Sequence, residues 1–285
     1  MNNCLITLFF VICSFGSARA QQFYVKPYVR YHQSVATQNA PQYFTLTLLT
    51  PYGSNSSVDI DVWTQINKFS LAGGMKYGGC FGYQFDNIIG VEAGIDYFKT
   101  NKKIMADPAG YAPTGMTQWK YQAVQASPVF TFRKSNKKSS LVGKAGMIIG
   151  IAWLQNTVTA SSSHETYQLN KNLSLGYTLG IEYDLKMSPQ SSFVIEGGLE
   201  HSSYTPKKAK LTAIGGVNQY SLQDQKKGVK EINYVNQIKN IPVFFNPYGN
   251  SYTYDQDKPE VRIKQAIKLS SAYLGVGIKY NFNKK

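Results

Sequence analysis

The feature that most constrains this chain is a two-residue alternation of large apolar side chains, sustained over segments of about ten residues or more. From Phe69 the odd positions read Phe69, Leu71, Gly73, Met75, Tyr77, Gly79, Phe81 and Tyr83. The even positions between them read Ser70, Ala72, Gly74, Lys76, Gly78, Cys80 and Gly82. The pattern recurs where Ile89, Val91, Ala93, Ile95 and Tyr97 oppose Glu92, Gly94 and Asp96. It recurs again where Leu173, Leu175, Tyr177, Leu179, Ile181, Tyr183 and Leu185 oppose Gly176, Gly180, Glu182 and Asp184. Successive strand residues point to opposite faces, so each segment has one apolar face and one face of glycines and isolated charges.

A soluble sandwich also alternates, with its apolar face inward. Two features favour the inverse arrangement. The segments are as long as a tilted membrane-crossing strand requires. The other face mixes glycine with single charges, which suits a narrow lumen where glycine makes room and charges pair. Eight segments are expected to be strands: 23–32, 68–83, 88–99, 119–133, 141–154, 172–185, 191–203 and 266–282. Pro27 and Pro128 each remove a ladder donor and are expected at a bulge or near a rim. The connections alternate strictly. Long ones cover about 33–67, 100–118, 155–171 and 204–265, and short ones lie at 84–87, 134–140 and 186–190. The fold class expected is therefore all-β: an eight-stranded antiparallel transmembrane barrel with long extracellular loops and short periplasmic turns.

Residues 1–20 read as a signal peptide and 21–285 as the barrel domain. Leu5 to Ile12 is an apolar run too short to cross a bilayer as a helix, and Ala18-Arg19-Ala20 has the small-x-small form of a cleavage site. Ile12, just before Cys13, is too large for a lipidation site. Cleavage near Ala20 leaves Cys80 as the lone cysteine, so no internal disulfide forms, and no Cys/His spacing suits zinc. No later apolar run is long enough for a membrane helix. The full chain carries a formal charge of +14. For an exported protein the nearest phosphates belong to lipid headgroups and lipopolysaccharide, and no nucleic-acid motif is present.

The chain closes on Gly277-Ile278-Lys279-Tyr280-Asn281-Phe282, followed by Asn283-Lys284-Lys285. This resembles the C-terminal assembly signal of outer-membrane barrels, and the trailing residues resemble barrels of Bacteroidetes-like bacteria. With the leader and the loop asymmetry, the mature chain resembles the small OmpA/OmpX-type barrels of the outer-membrane β-barrel domain family. The resemblance implies the outer membrane of a Gram-negative bacterium. It implies no single activity, because the family spans structural, adhesive and secretion-accessory members.

Lys26, Arg30, Lys76, Glu92, Asp96, Lys144, Glu182, Asp184, Glu196, Glu200 and Lys279 fall on the lumen face. An eight-stranded barrel is just wide enough for its side chains to fill, so these charges are expected to pair as a plug rather than line an ion path. His201 and Ser203 stand two apart on the lipid side. A His-x-Ser pair there looks like the core of outer-membrane lipid A deacylases, in which histidine takes the serine proton. Asp224 and Glu231 lie in the long loop, and Tyr204 stands where that pattern has asparagine. A strand reaching the polar interface accounts for the pair as well. Trp63, Trp119 and Trp153 are expected in aromatic girdles. In the basic 204–265 loop, Lys207, Lys208, Lys210, Lys226, Lys227 and Lys230 are candidates for contact with lipopolysaccharide phosphates.

The leading expectation is a non-enzymatic integral outer-membrane protein with a structural, adhesive or envelope-complex role through its basic outer loops. Its expected partners are outer-membrane lipid, lipopolysaccharide and an envelope protein. No cofactor and no nucleic acid are expected. A lipid A or phospholipid esterase built on His201 and Ser203, or a narrow channel, are the alternatives.

Overall fold

The computed structural model describes residues 22–39, 68–101, 103–106, 116–160, 163–216, 222–223, 230–236, 258–264 and 266–282. Residues 1–20, read as a leader from the sequence, lie outside them. The strands in chain order are β1 (Gln22–Ser34), β2 (Gln38–Asn39), β3 (Lys68–Phe69), β4 (Gly74–Gln84), β5 (Ile89–Thr100), β6 (Lys103–Ala106) and β7 (Met116–Ser135). They continue with β8 (Ser139–Ala160), β9 (Ser163–Lys186), β10 (Ser191–Tyr204), β11 (Lys208–Gly216), β12 (Glu231–Val235), β13 (Glu260–Ile263) and β14 (Ile267–Phe282).

Eight of them close on themselves. β1 pairs β4, β4 pairs β5, β5 pairs β7, and the ladder runs on through β8, β9, β10 and β14 back to β1, every pairing antiparallel. Closure satisfies the backbone along both sides of these strands, which is what a sheet needs to cross hydrocarbon. The alternation then sorts side chains inside out. On β1, Tyr24, Lys26, Tyr28, Arg30 and His32 are buried, while Phe23, Val29 and Tyr31 are exposed. On β9, Glu182 is fully buried and Ile181 is 61% exposed. A charged interior under an apolar exterior is unstable in water and stable in a bilayer.

The prolines are not at a rim, and no bulge marks them. Pro27 interrupts pairing between β1 and β14 while staying in register opposite Gly79 of β4. Pro128 likewise leaves a gap toward β8 and keeps its place opposite Ala93 of β5. Each lacks its N–H on one side only, and the unbroken register on both flanks carries the strand through.

Three expectations about segment boundaries also change. The segment 68–83 is not one strand: β3 and β4 are separated by residues 70–73, of which Leu71 and Ala72 are fully buried, so Leu71 faces the interior instead of lipid. The stretch 155–171 is not a loop. β8 and β9 extend through it as a long hairpin, pairing Gln155 with Gln168 and Thr159 with His164, with a register shift between Ala152 and Leu154. Polar residues on both faces hide the apolar alternation there, although Thr157, Val158 and Thr159 favour strand. The long 204–265 connection contributes three strands. β10 leaves β9 at Ser174, β11 takes over the vacated edge from Leu169 upward, β12 pairs β11, and β13 pairs β12 in parallel. The edge that the barrel strands leave uncovered is thereby covered.

Inside this outer part lies an apolar cluster, with Leu71, Phe98, Trp119, Tyr121, Leu154, Leu169, Tyr204, Ala209, Ile232 and Leu269 all buried. Trp119 therefore belongs to the interior, not to a girdle. Trp153 does face outward, donating Nε1–H to Gln122 Oε1 at 3.1 Å. At the opposite end Phe23 packs on Phe81 and Tyr83, with centroids 5.5 and 4.6 Å apart, and Tyr280 meets Phe282 edge-on at 5.2 Å. Trp63 lies outside the described residues.

Candidate functional site

The lumen charges meet one another. Lys26 Nζ lies 2.5 Å from Glu182 Oε2 and 3.2 Å from Glu92 Oε1. Lys144 reaches Glu92 at 3.0 Å and Glu196 at 3.3 Å, and also contacts Glu182. Lys76 bridges Glu200 at 2.5 Å and Asp96 at 3.4 Å. Arg30 holds Glu196 through Nε at 2.7 Å and Glu200 through Nη1 at 3.3 Å. Lys279 pairs with Asp184 at 2.7 Å and with Glu182. Arg133 Nη2 completes the set, 3.3 Å from Asp184. Among the described residues the network sets Lys26, Arg30, Lys76, Arg133, Lys144 and Lys279 against Glu92, Asp96, Glu182, Asp184, Glu196 and Glu200, so its formal charges cancel. A buried ion that loses its partner costs several kcal/mol, which is why so dense a set has to be balanced.

Aromatic rings fill the space between the ions. Tyr24 donates its hydroxyl to Glu92 at 2.7 Å, Tyr28 donates to Asp96 at 3.2 Å, and the Arg30 guanidinium sits 4.1 Å over the Tyr28 ring. Glycine makes this possible. A Cβ on Gly82 would stand 2.0 Å from the Tyr24 ring, and one on Gly180 would stand 2.3 Å from the Tyr273 hydroxyl. Above the ions, His32 bonds Ser271 at 2.9 Å and lies against Tyr273 and Phe98, whose ring leads on to Tyr121. The interior thus passes from paired charge through an aromatic layer to the apolar cluster. Arg133 was absent from the expected lumen set, yet it shares parity with Gln125, Ser127 and Thr131, all buried on the same strand. That parity was the available signal.

His201 and Ser203 stand on the outward side of β10, two places beyond the exposed Leu199. They are not hydrogen-bonded to each other. His201 Nδ1 lies 2.7 Å from Ser270 Oγ on β14, and its ring stacks on Tyr177 of β9 at 5.3 Å. Ser203 is opposite Leu175 and Lys268. The histidine therefore ties three adjacent strands on the membrane-facing surface.

The outer basic residues are carried by a framed strand. Asn170 Oδ1 accepts the backbone N–H groups of Lys207 at 3.0 Å and Lys208 at 2.8 Å, which fixes the start of β11. Along β11, Ala209 and Leu211 turn inward at 4% and 1% exposure, and Lys208 and Lys210 are exposed. Lys210 stands opposite Glu231 on β12. Lys230 Nζ donates to the Gln223 carbonyl at 3.1 Å. Lys226, Lys227 and Asp224 lie outside the described residues.

A closed antiparallel eight-stranded barrel, apolar outside and packed with paired charge inside, defines a membrane-spanning β-barrel. No family profile and no curated protein matches the chain. Among solved structures it is similar to Ail, the attachment invasion locus protein of Yersinia pestis, crystallised with the heparin analogue sucrose octasulfate. That match has 13% identity and a TM-score of 0.32, and covers 93% of this chain and 100% of that one.

Proposed function

We propose that the protein is an integral outer-membrane protein of a Gram-negative bacterium with a non-enzymatic role, holding anionic envelope groups, lipopolysaccharide phosphates first, on its basic outer strands. An even strand number, short turns at one end and long excursions at the other are the organisation of outer-membrane barrels. The observation that carries the binding role is the alternation on β11. Ala209 packs in the apolar cluster and Leu211 is buried two places on, so the ammonium groups of Lys208 and Lys210 are held outward on a fixed backbone. Lysine on an ordered strand meets phosphate without the cost of first ordering a loop. Such a surface serves structure, adhesion or assembly in the envelope. In this reading His201 is a cross-strand tie.

The test is binding of immobilised lipopolysaccharide by the folded barrel at low and high salt. Binding is expected to weaken as salt screens exposed charge over about 8 Å at physiological ionic strength. K207Q/K208Q/K210Q is expected to weaken it at every salt concentration. Full binding by a folded triple variant would remove this reading.

A further inference from the structure

The other end of the barrel carries a second basic surface. Lys134, Lys137, Lys138 and Lys186 are all exposed, and they gather at two neighbouring short turns, 136–138 and 187–190. Hydrogen bonds hold the turns together. The Lys186 N–H donates to the Lys138 carbonyl at 3.1 Å, and Lys186 Nζ donates to the Asn136 carbonyl at 3.0 Å. Asn136 Oδ1 accepts the N–H groups of Lys138 at 2.9 Å and Ser139 at 2.7 Å, so the first turn is built rather than loose.

Among the described residues no carboxylate answers these lysines locally. The stretches 134–141 and 185–192 contain neither Asp nor Glu. Asp184 is inside the barrel with Lys279 and Arg133. Asp86, on the 85–88 turn, accepts from the backbone of Ile88 and Ile89.

The apolar belt sets the depth of the cluster. Phe132, Leu141 and Leu185, the last outward residues before these turns, are 55%, 51% and 39% exposed, and Lys134 stands opposite Leu141 in the ladder. A lysine leaving the edge of an apolar belt extends its ammonium to headgroup level. Met187, 58% exposed within the second turn, adds an apolar foot at the same height.

We propose that this surface binds the headgroups of anionic glycerophospholipids in the leaflet at the short-turn end. Four ammonium groups without a local counter-charge among the described residues, at headgroup depth beside an apolar belt, match a phosphodiester carried on acyl chains. The surface is at the opposite end from β11, so its failure and that of the lipopolysaccharide reading are separable.

The test is native mass spectrometry of the folded full-length barrel in neutral detergent, titrated with phosphatidylglycerol or phosphatidylcholine. The parent is expected to favour phosphatidylglycerol by about tenfold, an advantage that shrinks as salt is raised. K134Q/K137Q/K138Q/K186Q is expected to bind the two lipids equally, and K207Q/K208Q/K210Q to keep the preference. Heat-modifiable migration on gels verifies folding, and K137Q/K138Q, confined to one exposed turn, is expected to lose part of the preference. Equal binding of both lipids by the parent would overturn the proposal. So would a preference that survives the quadruple variant, or one that disappears with the β11 variant.

Discussion

Arg30 on β1 grips Glu196 on β10 with two parallel hydrogen bonds, Nε to Oε1 at 2.7 Å and Nη2 to Oε2 at 3.1 Å, across 166 residues of chain and over the intervening β14. The fork closes one wall of the barrel on another. Removing one arm leaves a buried ion with a vacant partner position. E196A or R30A is expected to destabilise the barrel by about 3–5 kcal/mol, and the paired change R30M/E196L by markedly less. Urea unfolding in lipid vesicles measures both. Equal losses in single and paired variants would show that the fork is not the source of the cost.

Paired ions and the aromatic rings between them occupy the lumen of the fold described. Planar bilayers containing pure protein are therefore expected to show little or no conductance. Large, stable openings would make the protein a channel and demote the plug.

His201 is bonded to Ser270 and stacked on Tyr177, so H201A, S270A and S203A are each expected to leave the acyl composition of lipid A and phospholipid unchanged. Lipid mass spectrometry of membranes containing each variant checks this. Acyl loss caused by the parent and abolished by H201A would establish esterase chemistry, with Ser270 rather than Ser203 as the nucleophile to examine first.

Leu211 is 1% exposed on the inward side of β11, two places beyond Ala209 of the apolar cluster. L211A is expected to cost about 2–5 kcal/mol locally. The loss is expected as faster hydrogen exchange over β11 and β12, with the heat-modifiable migration of the barrel unchanged. Protection equal to the parent would mean that β11 is held by its ladder alone.

Asp86 offers a pH test outside the membrane. Its carboxylate accepts the N–H groups of Ile88 at 2.7 Å and Ile89 at 2.6 Å, and these bonds lower its pKa below the usual aspartate value. Because the folded value is the lower one, the contribution is full above the unfolded pKa and is lost as pH falls through the folded pKa. Exchange at Ile88 and Ile89, corrected for intrinsic rates, should rise in acid for the parent. D86A should be fast at every pH. A parent that is unresponsive to acid would show that the ladder alone protects the turn.

Much of this was legible in the order of residues. Side-chain direction along a strand follows parity, so once Ile89 and Ile95 are outward, Glu92 and Asp96 must be inward. The same rule places Lys26, Lys144, Glu182 and Lys279 in the interior with no knowledge of their partners. The partners themselves depend on tertiary structure. Arg30 meets Glu196 because closure brings β1 and β10 onto one lumen at a particular register, and no spacing along the chain encodes that register. The same holds for His201, whose serine is Ser270 across a ladder and not Ser203 on its own strand. Leu71 turns inward because β3 and β4 are separate strands, and 155–171 forms a hairpin because β11 covers the outer part of β9. Periodicity is a local property of the backbone and can be read from one strand; ion pairs, cross-strand bonds and edge cover are properties of two or more strands, settled only when the ladder closes.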